Sequence, residues 1–222
     1  MILSHEHEFI FVHIPRTAGT RLSKEICKKI GIKKWREYIG EPEELINREG
    51  NYMGNKYSGE YRRWEGNKHI SAVDLKKRLD KDVWKSYFKF AVVRNPWDRV
   101  LSLYLKRIKD SALPSRIINN CKICFNSYLN MKFNIGFGGY KRQTDFILDR
   151  EENMFLDYVG KYERMESDLR KISEKIGIDL NVKGKYDSTM ERDYREFYLF
   201  GSEKIIEDIF IEEIKMFGYS FE

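Results

Sequence analysis

The sequence has no long hydrophobic run and few cysteines. No apolar stretch approaches the roughly 20 residues that a membrane-spanning helix requires. The opening residues, MILSHEHEFIFVHIP, lack the basic and apolar segments of a signal peptide. Three cysteines, Cys27, Cys121 and Cys124, are an odd count that argues against a disulfide framework. These absences predict a cytoplasmic protein with no membrane span.

Cysteine and histidine, the usual ligands of a structural zinc site, are also scarce in the sequence. Cys121 and Cys124 could form half of a zinc site, but the chain has no second cysteine pair and only four histidines. We therefore expect no bound metal.

The composition is that of a folded globular protein. Hydrophobic residues make up 41% of the 222 residues, aromatic residues 14% and charged residues 34%. A chain of this length buries one sizeable core, so we expect one domain over residues 1–222. The formal net charge of +6 favours an anionic ligand or polymer.

Strand-like and helix-like patterns alternate along the chain. Apolar runs at 9–14 and 88–93 have the length of buried strands, and each precedes a segment with helical spacing of apolar residues. The first helix would end near Gly31, and Pro96 suits the first position of the second. Further patterns predict a strand at 155–162, a helix from Met165 closed by Gly177, and one last helix that holds Ile205, Ile209 and Ile214.

This alternation predicts an α/β fold, a single P-loop-like domain whose mainly parallel central sheet is flanked by helices. Ligands of such folds gather at the carboxyl ends of the strands, so we expect the turns after both apolar runs to lie at one edge. Residues 33–67 and 111–140 have weaker periodicity and are expected to form irregular or helical excursions that shape an acceptor site.

The turn after the first strand has the chemistry of a phosphate loop. A helix N-terminus offers unsatisfied N–H groups to an anion, arginines add charge-assisted bonds, and Gly19 allows a close approach. A Walker loop would need glycine at Ile14 and lysine at Thr20, which disfavours ATP. The alternative is a plain strand-to-helix connection. The candidate residues are Arg16, Thr17, Ala18, Gly19, Thr20 and Arg21.

The turn after the second strand, VVRNPWDRVLSLYLKR, carries Arg94 at the strand end and Ser102 on the helical face of Asp98. An arginine and a hydroxyl could share a second phosphate. The alternatives are a surface salt bridge between Arg94 and Asp98 and an ordinary exposed serine.

Together, PRTAGTR and VRNPWDRVLSLY resemble the PAPS-dependent sulfotransferases of the carbohydrate type, the heparan and chondroitin enzymes of sulfotransferase family 2 and their bacterial relatives. The resemblance extends to QTDFILD, YVGKYERMESDL, YREFY and MFGYSF. It implies a sulfotransferase that moves a sulfuryl group from 3′-phosphoadenosine 5′-phosphosulfate (PAPS) to a carbohydrate hydroxyl and releases PAP.

The resemblance also implies roles for residues. The loop from Arg16 to Arg21 would bind the 5′-phosphosulfate, and Arg94 with Ser102 would bind the 3′-phosphate. Arg16 stands where the family usually has the lysine that stabilises the leaving group, which puts the reaction rate in question more than binding.

A base for the acceptor hydroxyl is expected near the second strand. His69 is the candidate, in a context similar to that of the family's base, and a capping or packing histidine is the alternative. Rival bases are the carboxylates of Glu60, Glu65 and Asp74. The other histidines are expected to be structural or terminal: His13 within the first strand, and His5 and His7 in a frayed terminus.

Four residues between positions 183 and 195 correspond to the region where relatives close over the nucleotide. They are Lys183, Lys185, Tyr194 and Arg195. The preferred interpretation is a solvated basic loop.

Rival functions remain open from the sequence. A small-molecule kinase with a degenerate P-loop would need a P-loop lysine and acidic Mg²⁺ ligands. A non-enzymatic module for nucleic acid or another polyanion would fit the basic and aromatic residues between 33 and 64, but acidic residues there argue against a nucleic-acid partner. A relative that binds the nucleotide but turns over slowly would fit Arg16.

Overall fold

The computed structural model describes residues 1–31, 51–53, 69–109, 121–134, 141–149, 151–180 and 193–221. Contacts divide the chain into two compact units. The sheet unit comprises Met1–Val93 and Gln143–Gly184, and the helical unit comprises Arg94–Arg142 and Lys185–Glu222. A single domain over residues 1–222 stays a prediction.

The regular elements of the described residues follow in chain order. The strands are β1 Ile2–Ser4, β2 Phe9–Val12, β3 Asn51–Met53, β4 Phe88–Val93 and β5 Tyr158–Lys161. The helices are α1 Gly19–Lys29, α2 Ala72–Arg78, α3 Lys81–Ser86, α4 Pro96–Lys109, α5 Lys122–Leu129, α6 Met165–Ile176, α7 Glu203–Ile209 and α8 Ile211–Phe217.

The sheet has the order β3-β1-β2-β4-β5. Strands β2, β4 and β5 pair in parallel, whereas β1 is antiparallel to both β2 and β3. The predicted α/β class is therefore confirmed, with a parallel centre and a short antiparallel edge. Because β2 and β4 are parallel neighbours, Val12 and Val93 end their strands at the same edge of the sheet.

The buried helices of the sheet unit end where the sequence signals predict. Helix α1 buries Leu22 and Ile26 and gives way to Gly31 at φ 78°. Helix α6 ends at Gly177, whose left-handed conformation suits glycine because it has no Cβ. These caps fix the ends of both helices.

The N-terminus corrects one expectation. Residues 1–4 are buried, and β1 pairs on both sides, so the terminus that holds His5 and His7 is not frayed. His5 Nδ1 lies 2.7 Å from the Tyr87 hydroxyl, which ties the turn after β1 to the residue before β4. A three-residue strand has too few positions to show a periodic pattern, which explains why it was not predicted.

The helical unit is built around a core that is rich in aromatic residues and that receives side chains from α4, α5, α7 and α8. Trp97, Tyr104, Phe125, Tyr198 and Phe210 are all buried in it. The single last helix expected from the sequence is wrong, because the chain bends at Phe210, which ends α7 and begins α8. Among the helices that the structure describes, none has the length and apolar character needed to cross a membrane.

Candidate functional site

The loop between β2 and α1 has an unusual backbone. Arg16 and Ala18 have positive φ angles of 69° and 63°, and Thr17 between them does not. The left-handed conformation costs a non-glycine residue about 1–2 kcal/mol. Ala18 is the N-cap of α1 and makes no side-chain capping bond. Nests of backbone amides that bind anions contain residues in the left-handed conformation, and Arg16 and Ala18 make this loop a candidate for such a nest.

The side chains of this loop divide into internal and outer groups. Thr17 is buried, and its hydroxyl donates a hydrogen bond of 3.0 Å to the Ile14 carbonyl, which closes the loop. Arg16 and Thr20 are half-buried, and Arg21 is exposed. The predicted loop residues thus lie just before and at the start of α1, with Arg21 at the most accessible position.

Position 19 has no room for a side chain because the ring of His13 lies against it, a contact that the sequence does not predict. A Cβ at this position would lie 2.1 Å from Cδ2 of His13 and 2.3 Å from its Nε2. The sequence predicts Gly19 as a site of close approach, and within the structure the group that approaches is the His13 imidazole. His13 is buried and packs the end of β2 against the first turn of α1.

His69 is held against the same histidine. Its Nδ1 lies 2.9 Å from the His13 carbonyl oxygen, and the two rings meet edge to face at 4.5 Å. A carbonyl oxygen only accepts, so Nδ1 must carry the proton. In the neutral ring the lone pair then lies on Nε2, the arrangement of a positioned general base. His13 and His69 are 56 residues apart in sequence, and no local pattern predicts this contact.

Of the rival carboxylates, the structure describes Asp74, and this side chain takes part in capping a helix. Asp74 accepts a hydrogen bond of 2.8 Å from the Ser71 hydroxyl, and its amide donates back to that oxygen. This exchange caps α2. Glu60 and Glu65 lie outside the described residues.

The turn after β4 presents charged side chains. Arg94 is buried, and its Nε donates a 2.7 Å bond to Asp98 Oδ2, so the predicted ion pair exists, although it is not at the surface. Ser102 is fully buried one turn after Asp98 on α4. The Asp98 carboxylate fixes the plane of the Arg94 guanidinium through one of its five N–H groups.

Asn95 anchors this turn within the helical unit. Its amide nitrogen donates to the Tyr194 hydroxyl at 3.2 Å and to the Ser220 carbonyl at 3.0 Å, and its oxygen accepts from the Trp97 amide. Arg195, beside Tyr194, forms a paired contact with Asp193 at 2.7 Å and is exposed. Lys183 and Lys185 lie outside the described residues.

The bonding state of the cysteines differs from the expected one. Cys121 and Cys124 are joined by a disulfide, and Cys27 is a buried free thiol. This corrects the expectation from the odd cysteine count, which cannot reveal that two cysteines three residues apart are paired. Among the residues that the structure describes, no group of three or more histidine, cysteine, aspartate or glutamate side chains could hold a metal ion.

Comparisons with known proteins identify a family that the chain matches. Residues 1–158 match the model described as Sulfotransferase family, which is more than half of the chain. An uncharacterized protein of Archaeoglobus fulgidus is 25% identical over 122 residues, covering 55% of this chain and 94% of that protein. No solved structure matches the chain significantly. The matched range includes both strand-ending turns and His69.

Proposed function

This chain belongs to the sulfotransferase family, and from that premise we propose that it transfers a sulfuryl group from PAPS to a hydroxyl of a carbohydrate acceptor. Sulfuryl transfer is the activity of the family, whereas the identity of the donor and the class of the acceptor are what we propose. The observation that supports the donor is the loop at the start of α1, which combines left-handed Arg16 and Ala18 with a helix N-terminus that has no side-chain cap.

The loop residues would hold the end of the donor at which the bond breaks. Amides of the first turn of α1 bind the 5′-phosphosulfate, while Arg16 and Arg21 supply positive charge. As the reaction proceeds, a bond forms between the acceptor oxygen and sulfur, and the bond from sulfur to the bridging phosphate oxygen breaks. Charge collects on the departing PAP, where fixed donors are most effective.

Arg94 and Ser102 would bind the 3′-phosphate. The ion pair with Asp98 holds the guanidinium in a fixed plane, and the planar fork suits phosphate oxygens. Both side chains are buried, so nucleotide binding requires the groups that cover them to give way. Nucleotide binding should therefore be accompanied by local rearrangement around α4.

His69 would accept the proton of the acceptor hydroxyl. The bond from Nδ1 to the His13 carbonyl fixes the tautomer, so the proton moves to Nε2 as the new sulfate ester forms. The bond also stabilises the imidazolium that results, since a charged donor makes the stronger hydrogen bond.

Calorimetric titration separates this proposal from its rivals. The full chain is titrated with 3′,5′-ADP, with ATP plus Mg²⁺, and with a nucleic-acid oligomer. We expect saturable binding of 3′,5′-ADP that needs no metal. Preference for ATP with Mg²⁺ would identify a kinase, and preference for the oligomer a polyanion-binding module. Transfer from labelled PAPS to a set of carbohydrate and phenolic hydroxyls then identifies the acceptor class.

The assignment of the base has its own test. His69→Ala should lower kcat by about 10²- to 10⁴-fold while leaving 3′,5′-ADP affinity unchanged. His5→Ala is the matched control, because His5 is an exposed histidine of the same unit that contacts Tyr87. Unchanged turnover of the His69 variant would transfer the role to a carboxylate. Binding of 3′,5′-ADP with negligible turnover of the wild-type chain would instead support a slow relative, in which Arg16 is a poor substitute for lysine.

A further inference from the structure

The disulfide between Cys121 and Cys124 lies at the N-terminus of α5. The two cysteines are three residues apart in sequence, and their Cα atoms are 5.2 Å apart. Cys121 is the N-cap residue, and its sulfur accepts the Cys124 amide N–H at 3.1 Å. A cysteine pair with this spacing at a helix start is an arrangement in which a thiolate is stabilised.

The pair is poorly suited to the purely structural role of a disulfide. The chain-entropy contribution of a cross-link grows with the length of the loop that it closes, and this loop is among the shortest possible. The helix does not depend on the bond for its attachment, because Asn126 on α5 donates to the Phe197 carbonyl at 2.7 Å and accepts from the Leu199 amide.

The two cysteine residues differ in exposure. Cys124 is exposed, and its neighbour Ile123 is 70% exposed, whereas Cys121 is half-buried. We therefore expect an incoming thiolate to reach Cys124 more readily than Cys121. The sulfur that then leaves belongs to Cys121, where the Cys124 amide and the N-terminal end of α5 stabilise negative charge.

We propose that Cys121 and Cys124 form a reversible thiol–disulfide exchange site that is reduced by a dithiol. One thiolate of the dithiol attacks Sγ of Cys124, which breaks the bond between the cysteines and releases Cys121 as a thiolate. The second thiol of the reductant then attacks the mixed disulfide and releases Cys124. Two electrons and two protons pass to the protein, and the dithiol becomes a cyclic disulfide.

This inference is independent of the proposed sulfuryl transfer, because neither cysteine is assigned to the nucleotide or the acceptor. Cys27 provides an internal reference. It is buried, and burial raises the pKa of its thiol to about 12, so it should resist labelling in the folded protein.

The first experiment titrates the folded full-length chain with mixtures of reduced and oxidised dithiothreitol, then blocks free thiols with an alkylating agent and measures intact mass. We expect the number of labelled thiols to change reversibly between zero and two while circular dichroism stays native. A pair that stays oxidised in excess dithiothreitol until denaturant is added would overturn the proposal, as would a reduced pair that does not reoxidise.

The second experiment tests the division of roles with Cys121→Ser and Cys124→Ser, each in a Cys27→Ala background. Alkylation rates as a function of pH report the pKa of the remaining thiol. We expect the thiol of Cys121, left in the Cys124→Ser variant, to titrate at lower pH than that of Cys124. The reverse order, or equal values, would overturn the assignment of Cys121 as the leaving group.

Discussion

The β2–α1 loop and the β4–α4 turn both follow buried strands, but they offer an anion different groups. The first depends on its main chain, with left-handed residues at Arg16 and Ala18 and an uncapped helix start. The second depends on side chains, with the buried Arg94 held by Asp98 and the buried Ser102 nearby on α4. A main-chain site is sensitive to backbone packing, and a side-chain site is sensitive to the loss of single charges.

The difference between a main-chain site and a side-chain site indicates which substitutions would disable each one. If the loop binds phosphate through its main chain as proposed, its residues can change type as long as the backbone keeps its path, and arginine at position 16 is compatible with that role. In the proposed site at the β4–α4 turn, the charge of Arg94 would itself be the binding element, so a neutral substitution would remove it directly. Variants of the two turns should therefore fail in different ways.

The largest effect should come from Arg94→Ala. Removing one partner of a buried ion pair leaves the Asp98 carboxylate uncompensated and should lower the free energy of unfolding by about 3–5 kcal/mol. Affinity for 3′,5′-ADP should fall roughly 10- to 100-fold, the loss expected for hydrogen bonds to a charged group. Urea unfolding and calorimetry measure the two quantities.

Two further variants control for this large change. Arg94→Lys keeps the charge and loses the planar fork, which allows affinity to be measured on a more stable protein. Arg107→Ala removes an exposed arginine from the same helix and should change stability by less than about 1 kcal/mol. Equal affinity losses for Arg94→Ala and Arg107→Ala would exclude a specific role for Arg94.

Gly19→Ala should show that the loop depends on packing. The new methyl group would lie 2.1 Å from the His13 ring, so overpacking should cost about 1–3 kcal/mol of unfolding free energy. In a double-mutant cycle, His13→Ala should remove much of that cost, because it deletes the clashing ring. Thermal or urea unfolding of the four proteins gives the coupling energy.

Gly177→Ala is the matched control for this cycle. Gly177 has a φ of 65°, and apart from its neighbours in the chain no described residue has a heavy atom within 4 Å of an added Cβ, so the cost of a side chain there arises from backbone conformation. His13→Ala should not reduce the loss of stability that Gly177→Ala causes. Absence of coupling between Gly19 and His13 would contradict the packing role of the glycine.

Ser102→Ala should have a smaller and more selective effect. Loss of one hydroxyl bond to a phosphate should weaken 3′,5′-ADP binding about tenfold, while stability changes by about 1 kcal/mol. Adenosine 5′-monophosphate lacks the 3′-phosphate, so its affinity should be unchanged. Calorimetry with both nucleotides provides the measurement, and an equal loss for both would remove Ser102 from the 3′-phosphate site.

The sequence predicts the elements whose signals are local. Strand β4 and the start of α4 at Pro96 agree with the prediction, because a buried apolar run and a proline at the first helical position are each read within a few residues. Helix α6 and its glycine cap agree for the same reason. Strand β5 is shorter than the predicted 155–162, since Phe155 and Leu156 are apolar but lie before the ladder.

The parts that were missed depend on contacts between distant residues. Strand β3 lies in a polar segment that was predicted to be an excursion, and it forms by pairing with β1. In the candidate site, the ion pair between Arg94 and Asp98 is suggested by their spacing of four residues at the start of α4, whereas the contact between His13 and His69 appears only when the chain is folded. The left-handed Ala18 has no signal, because alanine does not favour that conformation.

The smallest effect should come from Arg195→Ala, which compares an exposed arginine with the buried Arg94 of the same unit. Hydrogen bonds from Arg195 lower the pKa of the Asp193 carboxyl in the folded state. The ion pair therefore stabilises the folded state at pH values above the ordinary pKa of aspartate. This stabilisation is lost as the pH falls through the lowered pKa. The pair is exposed and screened by solvent, so Arg195→Ala should leave stability near neutral pH nearly unchanged and alter 3′,5′-ADP affinity by less than about twofold. Calorimetry at low and high salt checks this, and a loss comparable with that of Arg94→Ala would show that the segment around Tyr194 closes over the nucleotide.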